Sequence, residues 1–322
     1  MPPFCDYEYD VCCIDTEQVR TGLACAYLLR SGERYAFVDC GTSLSVPGLL
    51  DVLAHKGIAP EQVAYVMPTH VHLDHAGGAG ALMRALPKAQ LIAHPRAARH
   101  LIDPSKLIEG AAAVYGAQNL ARMYGAILPV PESRVQVADD GFTLDFAGRE
   151  LVFYDAPGHA RHHYAIWDAA SRGIFSGDVF GISYREFDGP EGPYLFPTTT
   201  PVQFEPEAWL ATLDRLLALD PAWVYLTHFG RLGEVPRLAR ELKRGLVAYQ
   251  RIARRHADAP DRHARIRAEL TEHALHELAA LDCPLSVAQA QRLLEFDMEL
   301  NTQGLEVWLD RDSKTKKKGA PA

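Results

Sequence analysis

Residues 69–75 of this chain are Thr-His-Val-His-Leu-Asp-His, in which four side chains of six consecutive residues are of metal-ligating types. The apolar run before them, 63–67, has the length and composition of a buried strand. Side chains at alternate positions of an extended segment point the same way, so His70 and His72 can reach one metal ion together. A turn through the following Asp-His pair can supply ligands for a second ion. This stretch therefore predicts a metal site just past the end of a strand.

Three more ligand-type residues follow other predicted strand ends. They are His159 in a Pro-Gly-His segment, Asp178 in a Gly-Asp segment and His228 in a Thr-His segment. Imidazole combined with carboxylate suits Zn, Fe, Mn or Ni better than Ca or Mg. The chain has 14 histidines, but chance clustering does not explain four ligand types in six positions plus three at strand ends. Together these residues predict a site for two ions.

Apolar runs of strand length alternate with segments of helical spacing from residue 21 to residue 226, which predicts an α/β layered fold. A region of helical spacing at about 95–128 is predicted as a helical insertion. Strands are expected at 21–29, 34–39, 63–67, 90–94, 135–137, 142–146, 151–153, 164–167, 173–176 and 223–226, and helices at 46–55, 79–86, 96–101, 108–124 and 206–219.

Beyond residue 230 the pattern changes to helical spacing alone, with helices expected at 237–255, 262–281 and 286–308. The sequence thus predicts a catalytic domain over 1–230 and a helical C-terminal subdomain over 231–312. The last segment, 313–322, is polar and basic, and we predict that it is disordered.

Composition limits the class of protein. With 322 residues, 48% of them hydrophobic, the chain can bury a large core, which excludes a disordered or fibrous protein. A net charge of −8 gives no global positive field, so nucleic acid is not an expected partner. The six cysteines show no spacing of a zinc site, and neither a signal peptide nor a membrane-spanning apolar run is recognisable. We therefore expect a cytoplasmic protein with reduced cysteines that acts on a small molecule and not at a membrane.

The stretch THVHLDHAGG at 69–78 resembles the HxHxDH signature of the metallo-β-lactamase superfamily. Downstream, the segments APGH, SGD and LTH are similar to the remaining ligand motifs of that superfamily, in the same order. The resemblance covers residues 20–230 and implies an αββα sandwich, here followed by the helical subdomain. It also implies two divalent metal ions, with Zn preferred and Fe or Mn as alternatives. Carried over by motif, one ion would be held by His70, His72 and His159 and the other by Asp74, His75 and His228, with Asp178 bridging.

The resemblance implies a hydrolytic mechanism. Two ions about 3.5–4 Å apart lower the pKa of a shared water towards 7, and the bridging hydroxide then attacks the substrate. Asp74 would orient the hydroxide and help protonate the leaving group. We expect Asp39 to support the metal ligands from behind and Cys40 to be buried packing. Tyr184 is a candidate catalytic residue, because a tyrosine near the metals assists the substrate carbonyl in related lactonases.

The resemblance is compatible with several substrate classes. A core followed by C-terminal helices is similar in layout to glyoxalase II and to the thioesterase of alkylquinolone signalling, which favours a small ester or thioester. Lactones and phosphodiesters are alternatives, because the same metals polarise a carbonyl or a phosphoryl oxygen. An iron-dependent oxidoreductase, such as a persulfide dioxygenase or an oxygen-binding diiron protein, and a metal-binding sensor are further alternatives. His72 favours the hydrolase, because the flavodiiron branch typically has Glu at this position. The apolar segment 296–309 either packs on the core or forms a homodimer contact.

Overall fold

The computed structural model of this protein describes residues 1–199 and 202–319. Within these ranges the strands are β1 (Phe4–Tyr7), β2 (Val11–Asp15), β3 (Cys25–Ser31), β4 (Arg34–Val38), β5 (Val63–Met67), β6 (Gln90–Ala93), β7 (Val135–Val137), β8 (Phe142–Phe146), β9 (Arg149–Asp155), β10 (Tyr164–Asp168), β11 (Gly173–Gly177), β12 (Trp223–Leu226) and β13 (Gly230–Leu232). The α-helices are α1 (Val46–His55), α2 (Leu73–Ala76), α3 (Ala79–Ala85), α4 (Pro95–Ile102), α5 (Ser105–Tyr115), α6 (Ala117–Tyr124), α7 (Pro206–Leu217), α8 (Val235–Arg255), α9 (Arg262–Ala280) and α10 (Val287–Gly319).

The strands form two sheets. Strands β1 to β7 make a seven-stranded sheet in chain order, and the other six make a second sheet in the order β13-β12-β11-β10-β9-β8. The first sheet begins with antiparallel pairs and becomes parallel from β4 to β7. In the second sheet β11 and β12 are the parallel pair. Parallel neighbours carry their C-terminal loops to one edge, which is where β5 and β12 lead into their histidine segments.

Residue contacts divide the chain into two units. The first consists of Met1–Ala156, His162–Gly177 and Leu219–Gly233 and contains both sheets with α1 to α6. The second consists of Pro157–Arg161, Asp178–Ala218 and the chain from Glu234 onward, and it contains α7 to α10. The domain boundary predicted at residue 230 lies close to Glu234, but the contacts also assign two earlier segments to the second unit.

The core of the first unit has two layers because strand side chains alternate between the faces of a sheet. On β3, Cys25, Tyr27 and Leu29 belong to a cluster that contains residues of both sheets, such as Phe153 and Phe175. The intervening residues of β3 belong to a cluster with apolar side chains of α1, α3 and α4. The first sheet is therefore covered by the second sheet on one face and by helices on the other.

Most of the predicted elements are present, and the differences have physical reasons. The structure adds β1, β2 and β13, which were not predicted. All five residues of β2 are buried, so its sequence shows no alternation, and β13 has only three residues. The predicted disorder from Ser313 differs from the structure, in which α10 continues to Gly319. Lysine is a good helix former, and no proline or glycine interrupts this run before Gly319. The rest of the predicted tail, 320–322, lies outside the described residues.

The predicted insertion at about 95–128 contains α4, α5 and α6. Among the helices of the described ranges, none combines the length and the apolar character that a bilayer crossing requires.

A buried ion pair between β9 and β10 connects the second sheet to backbone groups beside and within the first sheet. The Arg149 guanidinium donates to Asp168 through Nε at 2.9 Å and Nη2 at 2.5 Å, and through Nη1 to the backbone oxygens of Tyr9 and Arg30. The two side chains are only 5% and 0% exposed. Asp168→Ala leaves a buried cation without its carboxylate, so we expect it to lower the free energy of unfolding by about 3–5 kcal/mol.

Urea denaturation of the two proteins measures this loss. A matched control is Glu33→Ala, which breaks the Arg30–Glu33 pair, whose side chains are 50% and 85% exposed. Exposed pairs contribute about 0–1 kcal/mol, so the control should be close to the wild type. Equal losses in the two variants would contradict the assigned role of the buried pair.

Candidate metal centre

The histidine run leaves β5 and enters a short helix. His72 has extended backbone angles, and α2 begins directly after it. The backbone N–H of His75 donates to the carbonyl oxygen of His72 at 3.0 Å. This turn changes the direction of the chain, so that Asp74 and His75 leave the extended segment at a different angle from His70.

His70 and His72 form a pair within the first unit. Nε2 of His70 and Nδ1 of His72 lie 2.8 Å apart, and the Thr69 hydroxyl contacts Nδ1 of His70 at 3.1 Å. His70 is fully buried. Two ring nitrogens this close can bind the same cation, as the alternation of an extended segment predicts.

Asp74, His75 and His228 form a second group, also within the first unit. Oδ2 of Asp74 lies 3.2 Å from Nε2 of His228 and 3.6 Å from Nε2 of His75. Each residue offers one ligand atom, and these atoms lie within 4.8 Å of one another. Two imidazoles and one carboxylate are a donor set that suits a divalent transition-metal ion. The structure thus brings together the three residues predicted for one of the two ions.

In His75 and His228, the ring nitrogen Nδ1 donates a hydrogen bond to an acceptor elsewhere in the protein. His75 donates from Nδ1 to Oδ2 of Asp39 at 2.8 Å, and His228 donates from Nδ1 to the backbone oxygen of Leu23 at 2.7 Å. A carboxylate or a carbonyl cannot donate, so the ring proton belongs on Nδ1 and the lone pair on Nε2. Metal-binding histidines commonly have this arrangement. It leaves Nε2 of both rings as the metal-binding atom, facing Asp74.

Asp39 lies beneath the site and joins its loops. This fully buried carboxylate accepts hydrogen bonds from the backbone N–H of Thr69 at 2.7 Å and from the Thr227 hydroxyl at 2.7 Å, besides the bond from His75. Its backbone has a φ of +55°. The threonines precede His70 and His228 respectively, so one carboxylate fixes the segments that follow β5 and β12. This contact agrees with the supporting role expected for Asp39.

Cys40 packs behind His75. Its thiol donates to the backbone oxygen of His75 at 3.2 Å, and burial raises the pKa of the thiol well above its usual range. A thiol that stays protonated is a poor nucleophile. The position fits the packing role expected from the sequence.

His159 and Asp178 form a pair within the second unit. Nε2 of His159 lies 3.4 Å from Oδ2 of Asp178, and Nδ1 of His159 donates to the backbone oxygen of Thr198 at 2.8 Å. The ring of His159 is fully buried. As with the carboxylate at His75 and the carbonyl at His228, an acceptor at Nδ1 leaves Nε2 as the nitrogen with the lone pair.

The short segment that carries His159 depends on glycine. Gly158 has a φ of +140°, and a Cβ built on it would lie 2.3 Å from the side chain of Trp209 on α7. The backbone N–H of Glu205 donates to the carbonyl oxygen of Gly158 at 2.8 Å. Only a residue without a side chain fits this close approach, which explains the glycine of the Pro-Gly-His motif.

Tyr184 is buried in the second unit, where its hydroxyl donates to the carboxylate of Asp297 with both oxygens at 3.1 Å. This contact links the segment after β11 to α10. The catalytic role of Tyr184 stays a prediction.

The sequence patterns did not predict some of the groups that orient the candidate metal ligands. Thr69 and Thr227 orient Asp39, while the carbonyl oxygens of Leu23 and Thr198 orient two histidines. The threonines had a signal, because a Thr-His pair follows both β5 and β12. Backbone acceptors have none, since any residue type carries a carbonyl group.

Comparison with known proteins identifies the family. The family model described as the metallo-beta-lactamase superfamily matches residues 20–228. A curated relative, the metallo-beta-lactamase fold-containing protein ST1585 of Sulfurisphaera tokodaii, is 27% identical over 67% of this chain and 79% of its own length. A hydroxyacylglutathione hydrolase of Synechococcus is 28% identical over 61% of this chain. The human acyl-coenzyme A thioesterase MBLAC2 is 26% identical over 48% of it. This chain spans less than three fifths of the length of these last two proteins, 59% and 57% respectively.

Solved structures show the same fold. The crystal structure of ST1585 from Sulfolobus tokodaii superposes with a TM-score of 0.61 at 22% identity, over 88% of this chain and 93% of that one. TTHA1429 from Thermus thermophilus superposes with a TM-score of 0.58 at 22% identity, over 84% of this chain and 88% of that one. The predicted fold class, two sheets with helices and a C-terminal helical region, is confirmed. This chain belongs to the metallo-β-lactamase superfamily.

Proposed function

We propose that this protein is a hydrolase that uses two divalent metal ions to cleave a small thioester or ester. The observation that carries the proposal is the orientation of three histidines, His75, His159 and His228. Each donates from Nδ1 to a protein acceptor, so each keeps a lone pair on Nε2. That arrangement is typical of metal ligands, and the donors of the whole set, five imidazoles and two carboxylates, fit Zn, Fe or Mn.

One ion is proposed to be held by His70, His72, His159 and Asp178, each of which offers a ring nitrogen or a carboxylate oxygen. The lengths of the connecting segments support this assignment. Asp178 follows the last residue of β11 directly, and His159 is three residues from Ala156 and from His162, both of which belong to the first unit. Three residues of extended chain span at most about 10 Å, and this short reach supports assigning His159 to the same ion as His70 and His72.

The other ion is proposed to be held by Asp74, His75 and His228. We propose that Asp178 would also contribute to this ion, so that its carboxylate would be shared by the two ions. Zinc is the preferred metal, since imidazole nitrogens are its usual ligands together with carboxylates. Iron and manganese fit the same donors.

Two bound ions would supply a water of lowered pKa and a Lewis acid that polarises the substrate carbonyl. The carboxylate of Asp74 would accept the proton of the attacking water and pass it to the leaving thiolate or alkoxide. Asp39 holds the proton of His75 on Nδ1 throughout, which fixes the ring in its metal-binding orientation. The C–S or C–O bond of the substrate breaks, and the products are a carboxylic acid and a thiol or alcohol.

The names of the relatives support a thioester as the substrate class. One is a hydroxyacylglutathione hydrolase and another is an acyl-coenzyme A thioesterase, and each aligns over part of its length. Lactones and phosphodiesters remain substrates to be compared with thioesters, because the same pair of ions can polarise their reacting oxygens.

Metal analysis and a substrate panel test the proposal. The purified protein is analysed by inductively coupled plasma mass spectrometry and then reloaded with zinc, manganese or iron(II). Each form is assayed with an acyl thioester, an aryl ester, a lactone and a phosphodiester, and oxygen uptake is followed with a thiol substrate. We expect two metal ions per chain and the highest kcat/KM with the thioester or the ester.

Two histidine variants separate the loss of a proposed metal ligand from the loss of any histidine side chain. His228→Ala should lose metal and activity, whereas His276→Ala should match the wild type because the His276 side chain is 81% exposed. Chelator-treated protein should be inactive and should recover on reloading. A protein that holds iron, consumes oxygen with a thiol and cleaves none of the four substrates would overturn the proposal.

A further inference from the structure

Asn301 on α10 binds one short segment, Pro197–Thr199, through both ends of its side-chain amide. Its Oδ1 accepts from the backbone N–H of Thr199 at 2.5 Å and from the Thr199 hydroxyl at 3.0 Å. Its Nδ2 donates to the backbone oxygen of Pro197 at 3.2 Å. The Thr199 hydroxyl also lies 3.0 Å from the backbone oxygen of Asn301. Asn301 and Thr199 are 1% and 0% exposed, so water does not compete for these bonds.

The same peptide group binds His159 on its other side. The N–H of Thr199 and the carbonyl of Thr198 belong to one planar peptide unit, in which the N–H and the C=O point in opposite directions. Asn301 accepts from that N–H, while the carbonyl accepts from Nδ1 of His159 at 2.8 Å. The peptide plane cannot rotate without breaking one of the two bonds. Hydrogen bonds in such a chain also polarise and strengthen one another.

We propose that Asn301 is a positioning residue for the metal ligand His159 and acts through the Thr198–Thr199 peptide. This inference rests on the proposed function, in which His159 binds a metal ion. Asn301 fixes the peptide plane, the Thr198 carbonyl fixes the proton of His159 on Nδ1, and Nε2 is thereby kept as the metal-binding atom. The C-terminal helix α10 thus contributes to metal affinity without supplying a ligand.

The proposed effect is confined to one of the two ions. His75 and His228 have acceptors of their own, Asp39 and the Leu23 carbonyl. Loss of the Asn301 amide should therefore lower the affinity for the ion that depends on His159 and leave the affinity for the other ion unchanged. A general loss of stability would not discriminate between the two ions.

Asn301→Leu tests the proposal, because leucine has a similar size but can neither accept from Thr199 nor donate to Pro197. Zinc affinity of the full chain is measured for each of the two equivalents by competition with a chromogenic chelator. Loss of partners behind metal-binding histidines typically lowers affinity about 10–100-fold, and we expect a loss of this size for one equivalent only. The cobalt(II) form should show a changed visible spectrum for the same equivalent.

Thr302→Val is the matched control. Thr302 is the next residue, is fully buried, and its hydroxyl donates within the helix to the backbone oxygen of Met298. This variant removes a buried hydrogen bond of α10 but should leave both zinc affinities unchanged. Thr199→Val is a milder second variant, because it removes the hydroxyl contacts with Asn301 and keeps the backbone bond. It should lower the zinc affinity of the same equivalent by a few fold. This variant replaces Asn301→Leu as the test if Asn301→Leu does not fold.

The outcomes separate the two proposals. If a folded Asn301→Leu or Thr199→Val protein binds both equivalents as tightly as the wild type, the positioning role is wrong and the proposed function stands. The positioning role is also wrong if both equivalents weaken together, in the control as well as in the variants. A wild-type protein that binds no zinc at all would overturn the proposed function and this inference with it.

Discussion

The Asp178→Ala variant is expected to lose at least about a thousandfold in kcat/KM and to bind fewer metal ions than the wild type. Metal ions supply several kcal/mol of transition-state stabilisation, and each 1.36 kcal/mol corresponds to a factor of about ten in rate. In the proposed site Asp178 is the carboxylate shared by the two ions, so its removal weakens both. Its Oδ2 lies 3.4 Å from Nε2 of His159, and the side chain is 5% exposed.

The fold should survive this change, because Asp178 follows β11 and is not part of the apolar core clusters. Circular dichroism and urea denaturation check this, and mass spectrometry gives the metal content. Asp188→Ala makes the same chemical change ten residues later, where the carboxylate lies 3.3 Å from Arg185, and it should retain metal and activity. An inactive Asp178→Ala protein that keeps both ions would show that Asp178 acts without binding a metal.

Local patterns were sufficient to predict much of this fold. The run 63–67 is apolar, contains two β-branched valines and is followed three residues later by the first histidine of the cluster, and the structure has β5 there. The strands that lead to Asp178 and His228 were recognised for the same reason, since β11 and β12 are short buried runs that end at Gly-Asp and near Thr-His. Strand β2 was missed because both of its faces are buried, so that helical and strand periods cannot be distinguished in its sequence.

The ligand types of the candidate site could also be read from the sequence, but their orientation could not. A histidine's tautomer is set by what its other nitrogen meets, and those partners come from distant segments. Leu23 lies 205 residues from His228, and Thr198 lies 39 residues from His159. The contact of Asn301 with Thr199 spans 102 residues and involves a backbone N–H, so no local pattern indicates it. Such contacts follow from the tertiary fold.

The Asp39→Asn variant is expected to lower both stability and metal affinity, although it changes one atom. Hydrogen bonds to a charged group contribute about 1.5–3 kcal/mol each. Oδ1 accepts from the N–H of Thr69, and Oδ2 accepts from the His75 ring and the Thr227 hydroxyl. We expect a loss of about 3 kcal/mol or more in the free energy of unfolding. The φ of +55° does not contribute, because asparagine tolerates this region as aspartate does.

The loss of affinity has a separate cause, which the experiment can isolate. An amide nitrogen in place of Oδ2 would face Nδ1 of His75, and two N–H groups cannot bond to each other. His75 relieves the conflict by moving its proton to Nε2, the atom that is proposed to bind the metal. We therefore expect the affinity for the ion at Asp74, His75 and His228 to fall about 10–100-fold. Chelator competition measures this affinity.

Asp168→Asn provides the matched control, since it alters an equally buried carboxylate that binds Arg149 and not a histidine. This variant should also be destabilised but should keep both zinc affinities in the folded protein. The histidine tautomer would be directly visible in ¹⁵N–¹H spectra of the imidazole of His75. If Asp39→Asn and Asp168→Asn lower zinc affinity equally, global stability and not the tautomer controls the metal, and the role assigned to Asp39 is wrong.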